Sequence, residues 1–249
     1  MKRNVFIIPL LLLMSFIAPK QKHITIWLAG DSTIANKETK AYPETGWGMP
    51  FQYFFDSTVT VKNIAKNGRS TRTFISEKLW DSISNNMQEG DYVFIQFGHN
   101  DESKEKLDRY TSPDDYKMNL VKFITETRRK KALPVLITPV SRRKFNDSGF
   151  AMQTHEIYTA LVRDVAVAQQ VPLIDLDKKS MELYQSFGKE NSKLLFLQLR
   201  PGEHPNYPNG KIDNTHFSEL GARLIAQIVL QEIKKLNLSL AERVYAGKK

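Results

Sequence analysis

The chain has no cysteine among its 249 residues. This absence excludes disulfide bonds, a thiol nucleophile, a thiolate metal site and a lipid attached to an N-terminal cysteine. Export is not excluded, because a chain of this length can bury a core that needs no covalent bridges. No repeat or low-complexity linker divides the sequence, so we expect one domain at residues 23–236 and a C-terminal tail at 237–249.

Several common catalytic motifs are also missing. The sequence contains neither a G-x-S-x-G turn nor a phosphate-binding loop. His155 and Glu156 lack the second histidine of a zinc-binding helix. The Gly46-Trp47-Gly48 segment does not follow a predicted strand, as a dinucleotide-binding motif would. We therefore predict neither a zinc helix nor a nucleotide site.

No apolar run is long enough for a comfortable membrane span of roughly 20 residues. The uncharged, largely apolar run Val5–Ala18 follows Lys2 and Arg3, an arrangement typical of a secretory signal peptide at residues 1–18. Phe16 would occupy a cleavage position that prefers a small residue, so an uncleaved anchor stays open, as does a buried N-terminal helix. We expect an exported protein, periplasmic or extracellular, with no stable membrane span.

Acidic residues are fewer than basic ones, and the formal net charge is +9. Removing residues 1–18 takes away only Lys2 and Arg3, which leaves +7. Such a balance attracts polyanions without identifying one. The cations are scattered apart from Arg128–Lys131, which we interpret as a helix end, and Arg142–Lys144, and no aromatic residues flank these runs as in nucleic-acid-binding modules. We predict no nucleic-acid partner.

Short apolar segments alternate with amphipathic stretches, which is typical of a parallel sheet wrapped by helices. The segments are rich in β-branched and aromatic residues, as strands buried on both faces are. The predicted class is therefore α/β, with a five-stranded parallel sheet between helices. The predicted strands are Ile24–Ala29, Val59–Ile64, Tyr92–Phe97, Val135–Thr138 and Leu173–Asp175.

The best-marked helix begins at Ser112, where an N-cap, a first-turn proline and two acidic residues follow one another, and it runs towards Lys131. The segment Arg200–Thr215 is rich in proline and glycine and predicts a long irregular loop, which is often functional in a compact domain. Further helices are predicted at Ile75–Met87, His155–Gln170, Lys178–Phe187 and Ser218–Lys235.

Polar residues or glycines follow the first three predicted strands. Ser32 comes directly after the first, Gly68 after the second and Asn100 after the third. The carboxyl ends of parallel strands meet at one edge of the sheet, where ligands bind. A serine can be a nucleophile, a glycine N–H allows close approach, and a side-chain amide can donate to an oxyanion. Taken singly, each could also be a helix cap or a turn residue.

Asp213 and His216 lie three residues apart, just before the helix predicted at Ser218. In a loop, a single turn can bring the carboxylate and the imidazole to one side, which suits a dyad in which the acid orients a general base. Together with Ser32 these residues supply a nucleophile, a base and an orienting carboxylate. His99, beside Asn100, is either a structural histidine or a substrate contact.

The blocks Gly30-Asp31-Ser32-Thr33, Asn67-Gly68, Gly98-His99-Asn100-Asp101 and Asp213-Asn214-Thr215-His216 resemble the SGNH or GDSL hydrolase superfamily. Its four signature residues would be Ser32, Gly68, Asn100 and His216. Within the superfamily the blocks are similar to the rhamnogalacturonan acetylesterase branch. The resemblance spans about Ile24 to Leu230.

This resemblance implies a flavodoxin-like three-layer fold and removal of acetyl groups from pectic or related polysaccharides, without a metal or other cofactor. The catalytic residues would be Ser32, Asp213 and His216, with the N–H of Ser32 as a third oxyanion donor beside Gly68 and Asn100. The partner would be an acetylated polysaccharide or oligosaccharide. The candidate substrate contacts are Asp31, Trp47, Arg69, Arg72, His99 and Arg200.

Other functions stay open at this point. An esterase or lipase of the same superfamily could act on other small acyl esters or on acetylated xylan. A non-catalytic carbohydrate-binding domain would be expected to have a broken triad, whereas this one is complete. An acyltransferase could use the same serine.

Overall fold

The computed structural model describes residues 21–245. Five parallel strands form one sheet in the order β2-β1-β3-β4-β5. They are β1 (Ile24–Gly30), β2 (Val59–Asn63), β3 (Tyr92–Gln96), β4 (Leu133–Ile137) and β5 (Leu173–Ile174). The predicted five-stranded parallel sheet is confirmed, and its carboxyl ends lie along one edge.

Helices cover both faces of this sheet. They are α1 (Gly48–Phe51), α2 (Thr71–Ser76), α3 (Leu79–Ser84), α4 (Pro113–Arg129), α5 (Glu156–Ala168), α6 (Leu176–Asn191) and α7 (Glu219–Lys235). Successive strand residues point to opposite faces. Ile26 and Leu28 therefore join a core with α1, α6 and α7, whereas Trp27 and Ala29 join a second core with α2 to α5. This is the predicted three-layer α/β fold.

The single helix expected at Ile75–Met87 is wrong, because two short helices occupy this region. The first begins earlier, after Ser70, whose hydroxyl accepts from the Thr73 N–H while the Thr73 hydroxyl accepts from the Ser70 N–H. Lys78 then adopts a left-handed conformation with φ of 58° and separates the two helices. The early start brings α2 close to the carboxyl end of β2.

A two-stranded antiparallel ribbon lies beside the parallel sheet, where the sequence predicted only a long loop. It consists of β6 (Phe196–Leu199) and β7 (Lys211–Phe217), and the expected loop is thereby reduced to residues 200–210. Asn206 fastens that loop by donating through its amide to the carbonyl oxygens of Thr39 and Tyr42. The ribbon joins the main domain where the Thr45 N–H donates to the Phe217 carbonyl at 2.9 Å.

The two chain ends differ in what the structure describes. The signal peptide predicted at residues 1–18 lies outside the described residues. Within residues 21–245, no helix is both long and apolar enough to span a bilayer. Near the other end, Leu240 is buried in the core and the Tyr245 N–H donates to the Phe54 carbonyl. Part of the expected C-terminal tail therefore packs onto the domain.

Candidate active site

Ser32 lies in a tight turn directly after β1, and buried polar contacts hold this turn in place. Asp31 Oδ1 accepts from both the N–H and the hydroxyl of Thr33, at 2.9 and 2.8 Å. The Thr33 hydroxyl accepts from Gln96 Nε2, and Gln96 Oε1 accepts from Trp47 Nε1. The chain of bonds from Asp31 to Trp47 anchors the turn to β3 and to the segment before α1.

Glycine at position 30 is required by the close packing of this turn. A Cβ atom there would lie 2.4 Å from Ile34 Cδ1 and 2.7 Å from the Gln96 carbonyl oxygen. The second contact is with backbone, which cannot move without distorting β3. The turn can therefore lie against the end of the neighbouring strand only because Gly30 has no side chain.

His216 on β7 faces Ser32. Its Nε2 atom lies 2.9 Å from Ser32 Oγ, and its Nδ1 atom lies 2.8 Å from Asp213 Oδ2. The three side chains thus form a continuous hydrogen-bonded chain in the order expected for a hydroxyl, a general base and an orienting acid. With Nδ1 protonated towards Asp213, Nε2 is free to accept the serine proton.

Asp213 holds both the ring and the backbone of His216. Its Oδ1 atom accepts from the N–H groups of Thr215 and His216, at 2.7 and 2.9 Å. Burial raises the pKa of Asp213, but these bonds and the imidazole outweigh burial and hold the pKa well below its ordinary value. The carboxylate therefore stays ionised and can stabilise an imidazolium.

The expected oxyanion donors lie beside the serine. Ser32, Gly68, Asn100 and His216 line one cavity of about 350 Å³. Gly68 has a positive φ of 78°, a conformation that glycine adopts without strain. Asn100 Nδ2 donates to the Arg69 carbonyl at 3.0 Å, which fixes the amide against the segment that carries Gly68.

The backbone donors are not used elsewhere. Among residues 21–245, neither the Ser32 N–H nor the Gly68 N–H donates a hydrogen bond to protein. The second hydrogen on Asn100 Nδ2 is also uncommitted. Three residues that line the cavity therefore each have an uncommitted N–H donor, the group type that stabilises an oxyanion.

Two expected substrate contacts are buried instead. Asp31 and Trp47 have no solvent-accessible surface, and Asp31 Oδ1 and Trp47 Nε1 make hydrogen bonds that hold the turn carrying Ser32. Burial raises the pKa of Asp31, against the opposing bonds from Thr33. Both residues position the serine loop and have no surface with which to touch a polysaccharide.

The basic residues expected at the site are distributed differently. The Arg69 guanidinium pairs with Glu77, and Arg72 donates to loop carbonyl oxygens. Arg200 lines a separate cavity beside the β6–β7 ribbon, together with Lys211. None of the three expected arginines lines the cavity at Ser32, and neither does Lys211.

His99 does line that cavity, although only 4% of its surface is exposed. Its ring packs against the ring of His155, with centroids 4.2 Å apart. Burial and the nearby positive charges lower the pKa of His99 well below its ordinary value, so the ring is neutral. It forms part of the cavity floor.

Lys37 is a supporting residue that the sequence did not reveal. Its buried ammonium group donates to the Ser32 carbonyl at 2.6 Å and to Asn67 Oδ1 at 2.8 Å, and it pairs with Glu44 at 2.7 Å. It thereby ties the serine turn to the segment before Gly68. Nothing in the local sequence signals this role, because the partners lie on three separate segments.

Arg142 is a second supporting residue, in the segment that follows β4. Its guanidinium donates to the Thr215 hydroxyl at 2.7 Å and lies 3.4 Å from Glu102 Oε1. The arginine therefore links β7 to the main domain directly beside His216. Among the described residues, no group of three or more His, Cys, Asp and Glu side chains is arranged to hold a metal ion.

The chain is similar to known sequences along most of its length. A sequence model of the GDSL-like lipase/acylhydrolase family matches residues 28–224. The chain is 40% identical over 224 residues to rhamnogalacturonan acetylesterase RhgT of Bacillus subtilis, which covers 90% of this chain and 95% of that protein. It is 34% identical over 220 residues to the probable rhamnogalacturonan acetylesterase YesY of the same organism, with coverage of 88% and 96%.

Solved structures share the fold. The YxiM protein of Bacillus subtilis superposes with a TM-score of 0.76 at 26% identity, over 88% of this chain and 58% of that one. The chain thus spans little more than half of YxiM. Axe2, an acetylxylan esterase from Geobacillus stearothermophilus, gives a TM-score of 0.59 at 17% identity, over 85% of this chain and 94% of that one, which shows the fold alone. The family match and the identity to RhgT together show that the chain belongs to the GDSL-like lipase/acylhydrolase family.

Proposed function

We propose that this protein is an exported serine esterase that removes O-acetyl groups from plant cell-wall polysaccharide, with pectic rhamnogalacturonan as its principal substrate. The observation that carries the proposal is the hydrogen-bonded chain from Ser32 through His216 to Asp213, which opens onto a cavity lined by oxyanion donors. The names of RhgT and YesY support the choice of substrate.

In the proposed first half-reaction, Ser32 Oγ attacks the acetyl carbonyl carbon while His216 Nε2 takes the hydroxyl proton. The carbonyl oxygen becomes an oxyanion, which accepts hydrogen bonds from Ser32 N, Gly68 N and Asn100 Nδ2. When the tetrahedral intermediate collapses, the ester C–O bond breaks and His216 gives the proton to the leaving sugar oxygen. The product is an acetyl-enzyme and a free sugar hydroxyl.

In the second half-reaction, His216 takes a proton from water as the water oxygen attacks the acetyl-enzyme. The second tetrahedral intermediate collapses, and the Ser32 oxygen recovers its proton from His216 as acetate leaves. Asp213 stays ionised throughout, stabilising the imidazolium and holding its ring in place. Hydrolysis is proposed in preference to acyl transfer to a second alcohol, because the cavity of about 350 Å³ has room for a water molecule beside Ser32.

Export rests on the N-terminal residues 1–18, whose charge and apolar pattern predict a signal peptide. An acetylesterase for an extracellular polymer must meet its substrate outside the cytoplasm, so the two parts of the proposal agree. N-terminal sequencing of the protein recovered from its producing cells would test this part. A mature chain beginning near Pro19 outside the cytoplasm supports export, and an intact Met1 in the cytoplasm contradicts it.

Rates of acetate release from a panel of acetylated polymers test which polysaccharide is the substrate. We expect purified protein to release acetate from acetylated rhamnogalacturonan faster than from acetylated xylan at equal acetyl content. Ser32→Ala, prepared in parallel, supplies the background rate. Equal rates would indicate a general acetylesterase, and a preference for xylan would contradict the proposed substrate.

A further inference from the structure

The charges around the Ser32 cavity are unevenly paired. Its acids have partners: Glu44 lies 2.7 Å from Lys37, and Asp213 accepts from His216. Three cations also line the cavity, namely Lys106, Arg109 and Arg142. Of these, Arg142 has Glu102 as its partner.

The other two cations have no acidic partner among residues 21–245. No carboxylate oxygen lies within 4.0 Å of the side-chain nitrogens of Lys106 or Arg109. The basic residues Arg69 and Arg163, in contrast, each pair with a carboxylate. The cavity therefore has uncompensated positive charge on one side.

Arg109 lies directly against Gly68. Its Nη1 atom is 3.5 Å from the Gly68 carbonyl oxygen, and a Cβ atom on Gly68 would lie 3.1 Å from the same nitrogen. Its Nε atom is buried and has no hydrogen-bond partner in the described part of the chain. A ligand cannot reach Nε itself, but the guanidinium has only a long bond to the Gly68 carbonyl among residues 21–245, so its Nη groups can donate to a ligand in the cavity that they line.

The loop that carries both cations is folded on itself. The Arg109 and Tyr110 N–H groups donate to the Lys106 carbonyl at 3.0 and 2.8 Å, and the Thr111 N–H donates to the Asp101 carbonyl. The Lys106 side chain is exposed, whereas that of Arg109 is partly buried. One cation is thus held in the wall and the other stands at the rim.

We propose that Arg109, assisted by Lys106, binds a carboxylate of the substrate, so that the enzyme selects acetylated uronate-containing glycans in which a carboxylate lies on or next to the acetylated sugar. A guanidinium presents a planar fork that matches a carboxylate with two parallel hydrogen bonds, and an ammonium at the rim adds a point charge. This inference rests on the proposed esterase function and deepens its substrate class.

A competing role for Arg109 is support of Gly68 or of the oxyanion, which would affect every acetyl ester equally. The two roles are separated by a ratio measured within each protein. The numerator is kcat/KM for acetate release from an acetylated polyuronate. The denominator is kcat/KM for the same polymer after its carboxyl groups have been reduced and it has been re-acetylated to equal acetyl content. Loss of structural support changes both rates and leaves the ratio intact.

We expect the ratio to be at least about tenfold in the wild-type enzyme, the factor that one charge-assisted hydrogen bond supplies. In Arg109→Gln it should fall towards one, and in Arg109→Lys it should fall only partly because the charge remains. Lys106→Gln, an exposed change that spares folding, should reduce it by a smaller factor. Arg129→Gln is the matched control, because this exposed arginine ends α4 at the opposite edge of the sheet.

A wild-type ratio near one overturns the carboxylate site and leaves the esterase function standing. A large ratio that persists in both Arg109→Gln and Lys106→Gln assigns the selectivity to other residues and also overturns it. If Arg129→Gln lowers the ratio as much as Arg109→Gln, general surface charge is responsible and the proposal fails. No acetate release from any acetylated substrate contradicts the proposed function itself.

Discussion

The serine and the histidine of the site are supported in two different ways. Ser32 follows β1, an interior strand of the five-stranded sheet, and the polar partners of its turn are buried in the domain. His216 lies on a two-stranded ribbon at the side of the domain, and 28% of its side chain is exposed. Its main contacts are Asp213, three residues away, and Ser32 itself.

Because of this difference, we expect substitutions on the serine side to affect mainly the stability of the fold, and substitutions on the histidine side to affect mainly the catalytic rate. The turn at Ser32 is held by contacts that also build the core, so changes among its buried partners should destabilise the whole fold. The position of His216 depends on local bonds from Asp213 and on Arg142 beside it. Changes there should lower the catalytic rate while costing less free energy of unfolding.

The largest expected effect is from Ser32→Ala. Loss of the nucleophile should lower kcat on p-nitrophenyl acetate by at least about 10³-fold, since removing a triad member typically costs several orders of magnitude. The melting temperature should stay close to that of the wild type, because only one hydroxyl is lost from the cavity. A folded variant that keeps more than about one hundredth of the wild-type turnover would show that another group is the nucleophile.

Asp213→Asn comes next, on the histidine side. The amide can favour the wrong imidazole tautomer, so we expect kcat to fall by about 10³-fold or more, with a modest change in KM. Steady-state kinetics on the same ester measures both constants. Near-normal kcat would mean that a different carboxylate orients His216.

Asn100→Ala should lower kcat by about 10²-fold to 10³-fold, as expected for one oxyanion donor. Because the donor binds the transition state better than the ground state, KM should change little. A rise in KM at constant kcat would instead assign Asn100 to substrate binding.

Trp47→Phe tests the buried support of Ser32. It removes the donor to Gln96 and leaves a gap in the core, so we expect the free energy of unfolding to fall by about 2–3 kcal/mol in urea titrations. Thr215→Val is the matched change on the ribbon, where it removes the acceptor for Arg142. It should lower the free energy of unfolding by about 1 kcal/mol or less. An equal loss in Trp47→Phe and Thr215→Val would contradict the expectation that the serine side contributes more to stability than the ribbon does.

A smaller effect than that of Trp47→Phe concerns Asp101, which is fully buried beside Asn100 and accepts from the N–H and hydroxyl of Thr71. Burial outweighs these bonds and raises the pKa of Asp101 to about 7. Since the folded-state pKa exceeds the unfolded one, its contribution to stability is fully present below about pH 4 and is lost as the pH rises through about 7.

Asp101→Asn keeps the Thr71 contacts and removes the titration. Between pH 5 and pH 8, we expect the wild type to lose about 1 kcal/mol or more of unfolding free energy relative to this variant. Urea titrations at the two pH values measure this difference. Parallel behaviour of the two proteins would show that Asp101 does not titrate in this range.

The serine side was predictable from sequence because one rule governs it. The carboxyl ends of parallel strands meet at one edge, so Ser32, Gly68 and Asn100 could be placed together before any contact was known. Strand Tyr92–Gln96 is buried along its whole length and was recognised by its apolar residues alone.

The ribbon under His216 could not be predicted in the same way. In strand Lys211–Phe217 only Phe217 is buried, so the strand lacks the apolar alternation that marks a strand in the sequence. The break between α2 and α3 at Lys78 has no glycine or proline beside it that would predict the end of a helix. The roles of Trp47 and Arg109 depend on partners distant in sequence, which composition and spacing do not specify.

The most direct test of the account is the site of covalent modification. A fluorophosphonate that mimics the tetrahedral intermediate should label the protein with one equivalent, and peptide mass spectrometry should place the adduct on Ser32. Asp213→Asn should react far more slowly, because its imidazole no longer activates the hydroxyl. An adduct on any other residue, or equally fast labelling of Ser32→Ala, would contradict the assignment of Ser32 as the nucleophile.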